Sequence, residues 1–139
     1  DRLSADDRRP VPVHADLCPS NILVREDAIT VIDFASSTDG SRCWDLTHLA
    51  MHLRLAGRRF RFGERLTGRI VRALINGFDP SLDESMPAFR VAMITHAACY
   101  LVDRAEKGRY APGRLGDARF RRDVAHLAAT SCARSGDAH

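Results

Sequence analysis

The chain contains a single lysine, Lys107, among its 21 basic residues, and that lysine falls in a region of helical periodicity. A lysine on a strand, the usual grip on nucleotide phosphates, therefore has no candidate. Nor does any G-x-G-x-x-G occur, so a glycine-rich phosphate loop of that form is excluded as well. No apolar run approaches the roughly 18 residues of a membrane span, and no signal-peptide pattern opens the sequence. The four cysteines, Cys18, Cys43, Cys99 and Cys132, are widely spaced, with no Cys-x-x-Cys pair. That spacing reads as a reduced, cytoplasmic protein. A net charge of +3, with arginines scattered over helices, is too weak a signal for nucleic-acid binding. The 45% hydrophobic and 28% charged fractions are those of a soluble globular domain, and 139 residues suit one.

What the chain does have is concentrated near its start. His14-Ala15-Asp16-Leu17-Cys18-Pro19-Ser20-Asn21 is followed twelve residues later by Asp33, in Val31-Ile32-Asp33-Phe34. Asn21 to Arg25 and Ala28 to Phe34 are short runs rich in Ile and Val, with Glu26-Asp27 between them as a turn, and read as a hairpin. Asp33 then ends an apolar strand that folds back beside Asp16 and Asn21. Two carboxylates and one amide at this spacing suit phosphoryl transfer. That reaction needs an acceptor hydroxyl held in line, a group to take its proton, and oxygen ligands for magnesium. Asp16 is the candidate base, and Asn21 and Asp33 are the candidate oxygen donors for a hard cation.

The segment resembles the His-Arg-Asp-Leu-x-x-x-Asn and Asp-Phe-Gly signatures of protein kinases, with Ala15 for the arginine and Ala35 for the glycine. Ala15 and Pro19-Ser20 bring it closer to the aminoglycoside phosphotransferase and choline kinase-like group, the small-molecule relatives of those kinases. Trp44-Asp45-Leu46 resembles that group's Asp-Leu segment, and Cys18 departs from its frequent His. The resemblance implies that His14 and Asp45 brace the loop, and that Mg2+ and ATP (or GTP) are cofactor and co-substrate. It implies a small-molecule hydroxyl as acceptor, and the missing Ala15 arginine weighs against a phospho-regulated protein kinase.

After Asp45, a plausible helix N-cap, Leu46 to Phe60 reads as a helix. Glu64 to Phe78 reads as a second, with Leu66, Ile70, Leu74 and Ile75 on its inner stripe, Arg65, Arg69 and Arg72 opposite, and Gly77 closing it. Asp79-Pro80-Ser81 makes a turn. Pro87 opens a long helix to about Lys107 with a core stripe of Phe89, Met93, Ala97, Tyr100 and Leu101, stopped by Gly108. Arg109 to Gly116 reads as a loop, and a last helix from about Asp117 buries Phe120, Val124 and Leu127. Residues 131–139 form a frayed tail.

Other patterns read more plainly. His48 and His52 share a helix face, but Leu49 stands where a zinc hydrolase's glutamate follows the first His, so they read as solvated or core-edge residues. Arg54, Arg58, Arg59, Arg61 and Arg65 read as solvated helix faces and loop. Asp79, Asp83, Glu84, Asp103 and Glu106 read as caps and exposed ion pairs rather than a site for a cationic substrate.

The expected fold is α+β and mainly helical, a short catalytic β-hairpin followed by a helical bundle. With the resemblance, residues 1–139 read as the C-terminal lobe of a protein-kinase-like phosphotransferase whose N-terminal nucleotide lobe is absent. Asp1-Arg2-Leu3 lacks an initiator Met, which suits a fragment. The expected partners are that lobe and the acceptor, with no nucleic acid and no membrane. The competing expectation is a non-catalytic kinase-like binding or scaffold module.

Overall fold

The computed structural model describes residues 9–59 and 64–107, together with Arg122 and Ala125. The expected Gly108 stop, the loop after it, the last helix with Phe120, Val124 and Leu127, and the tail lie outside the described residues. So do Phe60, Arg61 and the first eight residues.

The described chain is α+β and mostly helical, as expected. Four short strands come first: β1 (Val11–Val13), β2 (Ile22–Arg25), β3 (Ala28–Val31) and β4 (Thr38–Gly40). Three helices follow: α1 (Trp44–Arg59), α2 (Glu64–Phe78) and α3 (Pro87–Glu106). The expected hairpin is β2 and β3, antiparallel, with Ile22 opposite Val31 and Arg25 opposite Ala28. Its second strand stops two residues short of Asp33. Asp33 itself adopts a left-handed backbone, φ 65°, and Phe34–Ser36 forms a 3₁₀ turn. Extended pairing cannot continue through that conformation.

A second ribbon was not anticipated from the sequence. β1 pairs antiparallel with β4, Val11 opposite Gly40 and Val13 opposite Thr38. Gly40 suits this contact because a Cβ there would lie 3.0 Å from Val13 Cγ2. The ribbon has a positional consequence. His14 leaves β1 directly, and Ser37 leads directly into β4, so the whole stretch between them hangs from one clamp.

The core lies where α1 meets α2 and α3. Leu46, Ala50, Met51, Val71, Ile75, Leu82, Phe89, Met93 and Ala97 are buried in one cluster, with Leu74, Tyr100 and Leu101 packed at its edge. Burying a side chain of this size stabilises by about 1.5–3 kcal/mol, which makes this cluster the main source of fold stability. The bounds of α2 agree with its periodicity, and its inner face agrees in part: Ile75 is buried and Leu74 packs at the edge of the core. Thr67, Val71 and Ile75 are buried, whereas Leu66 and Ile70 are 46% and 43% exposed. The buried face meets α1 closely: a Cβ at Gly57 would sit 2.1 Å from Thr67 Oγ1. Thr67 takes the inward position beside Gly57, and Leu66 and Ile70 lie toward solvent. Gly77 lies inside α2, which closes at Phe78.

Candidate active site

The loop from His14 to Asn21 is held from three sides. α1 begins at Trp44, one residue before the expected cap, and Asp45 sits in its first turn. The Asp45 carboxylate does not cap its own helix. It accepts the His14 amide at 2.7 Å through Oδ2 and the Ala15 amide at 2.9 Å through Oδ1. These charge-assisted bonds hold Ala15 in a left-handed conformation, φ 65°, which an L-residue adopts at a cost of about 1–2 kcal/mol.

The second hold is the His14 ring, which is buried. Its Nε2 lies 2.8 Å from the Ile32 carbonyl, and its Nδ1 lies 3.3 Å from the Asp16 amide. A carbonyl only accepts and an amide N–H only donates, so the ring is the Nε2–H tautomer with Nδ1 as acceptor. Phe34 packs on the same ring at 4.6 Å between centroids. One side chain thus ties the residue before Asp33 to the backbone of Asp16.

The third hold is Asn21, buried at the end of a 3₁₀ turn over Pro19–Asn21. Its Nδ2 donates to the Asp16 carbonyl at 3.0 Å and approaches Asp16 Oδ2 at 3.4 Å. Its own carbonyl accepts the Ile32 amide at 3.0 Å. His14, Asp16, Asn21 and Asp45 are therefore joined by direct hydrogen bonds. Asp33 is brought alongside through the backbone, since both polar backbone groups of Ile32 are fixed to that loop.

The donor set fits a magnesium ion. Both Asn21 amide hydrogens point toward Asp16, which leaves the side-chain Oδ1 to serve as a ligand. The exposed Asp33 carboxylate takes no hydrogen bond or ion pair from the described residues. The amide oxygen of buried Asn21 and the exposed Asp33 carboxylate are hard oxygen donors of the kind a partly hydrated magnesium takes from a protein.

Some expectations change on this surface. Arg54 is not a solvated residue: its side chain is only 11% exposed and pairs with Glu84. Asp79 pairs with Arg42 at 3.6 Å in half-buried surroundings, and Asp103 with Lys107 at 2.6 Å as an exposed pair. Arg58, Arg59 and Arg61 lie outside the side chains described. Cys18 Sγ lies 3.0 Å from Ser20 Oγ, and Cys18, Cys43 and Cys99 form no disulfide among the described residues. No helix among the described residues is long and apolar enough to cross a membrane.

One nearby residue escaped sequence reading. His96 of α3 is buried and sits 2.9 Å from the Trp44 carbonyl through Nε2. Its position three residues after Met93, on the predicted inner stripe, was the available signal. It stacks on His48, which also contacts His52, so the expectation of two solvated or core-edge histidines becomes a packed group of three.

No curated protein and no solved structure gives a significant match to the chain. The family model described as "Phosphotransferase enzyme family" matches residues 1–89, which include the whole loop, Asp33 and Asp45. The chain belongs to the phosphotransferase enzyme family.

Proposed function

We propose that this chain is the C-terminal, catalytic-loop lobe of a small-molecule kinase. The reaction is transfer of the γ-phosphate of ATP or GTP to a substrate hydroxyl. Asp16 takes the proton from that hydroxyl as its oxygen forms a bond to the γ-phosphorus. The bond from that phosphorus to the bridging oxygen breaks, and the nucleoside diphosphate leaves. Asn21 Oδ1 and the Asp33 carboxylate hold magnesium, which when bound supplies positive charge to the phosphates. His14 and Asp45 keep Asp16 and Asp33 in fixed relation.

The observation that carries this reading is the pinned amide of Asn21. Its nitrogen is committed to Asp16, which leaves its side-chain oxygen available as a ligand. A scaffold module has no need for such an arrangement.

In this reading the groups that grip the nucleotide come from a separate lobe, because a strand lysine and glycine-rich loop have no counterpart among the residues of this sequence. The exposed apolar residues of the hairpin support a covering partner. Val24 and Ile29 face each other across the strands and are 68% and 73% exposed, and Phe34 beyond them is 60% exposed. Positioning accounts for most of the catalysis in this chemistry. Residues 1–139 alone should therefore transfer no phosphate at a useful rate.

The test is an acceptor screen with the intact protein, ATP or GTP, and magnesium. Chelator-sensitive phosphorylation of a hydroxyl compound is expected. Turnover by residues 1–139 alone would contradict the need for a second lobe, and no transfer by the intact protein to any hydroxyl acceptor would contradict the reaction.

A further inference from the structure

Asp45, His48 and His52 lie at positions i, i+3 and i+7 of α1, on one face of that helix. The face begins at the loop amides that Asp45 holds and runs along the seam with α3. From α3 the opposing residues are His96, Tyr100 and Arg104, spaced four apart. The rings meet closely. His48 Nε2 lies 3.3 Å from His52 Nε2, and their centroids are 4.8 Å apart. His48 stacks on His96 at 4.7 Å, His96 meets Trp44 edge-on at 4.2 Å, and His52 meets Tyr100 edge-on at 6.2 Å.

This packing specifies protonation. Between two imidazole nitrogens 3.3 Å apart, one must donate and the other accept, so at least one of His48 and His52 is neutral. His96 donates Nε2–H to the Trp44 carbonyl and needs no second proton. His48 Nδ1 is buried and has no hydrogen-bond partner, so a charge on that ring would find no compensation there. Other charges facing the group are Asp16 and His14 from the loop, Asp45 from α1, and Arg104 from α3, which lies over the Tyr100 ring at 5.3 Å. Burial acts first and holds all three histidines below their ordinary value. The neighbouring imidazoles add to this at all three rings, while Asp16 opposes it at His48 and His52, Asp45 at His48 and His96, and the Trp44 carbonyl at His96.

We propose that His48, His52 and His96 form a proton-operated latch joining α1, α3 and the loop that carries Asp16. Neutral, the three rings close the seam and keep Asp45 against the amides of His14 and Ala15. When protonated together, they set two N–H groups against each other and stack like charges, which parts the seam and loosens the loop. The latch acts on the same loop as the proposed phosphoryl transfer. Its test reads no turnover, so the two can fail separately.

The experiment is a magnetic-resonance titration of the protein from pH 7.5 to 5, following the imidazole signals and the exchange protection of the His14 and Ala15 amides. The three imidazoles are expected to titrate below 6.5. Amide protection should fall about tenfold across the same range beyond the intrinsic change in exchange rate. A His48→Gln/His52→Gln variant should lose less protection on acidification. Should that pair fail to fold, His52→Gln alone, at the half-buried edge, serves the comparison. Imidazoles titrating at or above 6.5, or protection that falls equally in the variant, would overturn the latch.

Discussion

The carboxylate of Asp45 and the backbone amide of His14 are 2.7 Å apart across 31 residues of sequence. With the second bond to Ala15, this contact couples the first turn of α1 to the loop that positions Asp16. The loop's conformation depends on polar contacts, some within it from His14 and Asn21 and these two from outside it.

Removing that contact should cost stability directly. Hydrogen bonds to a charged group contribute about 1.5–3 kcal/mol each, and a strained Ala15 is released when they go. Asp45→Ala is expected to lower unfolding free energy by about 2–4 kcal/mol, read by urea denaturation. A loss within about 0.5 kcal/mol, the usual range for a surface change, would contradict the bracing role.

The contact between α1 and α2 is tight at Gly57, where an added Cβ meets the β-carbon and both branches of Thr67. No rotamer of Thr67 removes all three atoms. Gly57→Ala should therefore destabilise by about 1–3 kcal/mol, although alanine alone favours a helix by up to about 1 kcal/mol. Pairing it with Thr67→Ala should recover part of the loss in a denaturation series.

Stability should fall with acid in a defined window. His48, His52 and His96 are held below 6.5 by burial, so the unfolded chain binds their protons first. The stability they contribute is complete above about pH 6.5 and is lost as pH falls through the folded values. Denaturation midpoints at pH 7.5, 6.5 and 5.5 should decline in that order, and the decline should flatten in His48→Gln/His52→Gln.

Metal binding can be followed apart from turnover. Manganese substitutes for magnesium on hard oxygen ligands and broadens nearby resonances. Titration into the chain should broaden the Asn21 and Asp33 signals before those of α2, and Asp33→Ala should remove the selectivity. Uniform broadening in both proteins would contradict the assignment of Asn21 and Asp33.

These elements were unevenly legible in the sequence. The β2–β3 hairpin and the bounds of α2 followed from residue type and period, because each repeats a pattern along the chain. The face of α2 followed only in part: Leu74 and Ile75 pack inward as their period implies, but Thr67 is polar and its place against Gly57, ten residues away, left no mark in that period. β1 and β4 carried no alternation: each has three residues, and Pro12 and Gly40 are poor strand formers. At the site, His14, Asp16, Asn21, Asp33 and Asp45 stood out as residue types at a known spacing. What Asp45 binds was invisible, since its partners are backbone N–H groups that any residue would supply. His96 was hidden for a related reason: it reads as one polar residue on an apolar helix until the fold brings α1 against it.

The account rests on Asp16 as the base that receives the acceptor's proton. The most direct test is the turnover of the intact protein, with nucleotide, magnesium and an accepted hydroxyl substrate, compared with its Asp16→Asn variant. General acid–base groups contribute roughly 10²–10⁴-fold, so a loss of that size with unchanged folding is the predicted result. Turnover by Asp16→Asn within a few-fold of the parent protein would contradict the assignment.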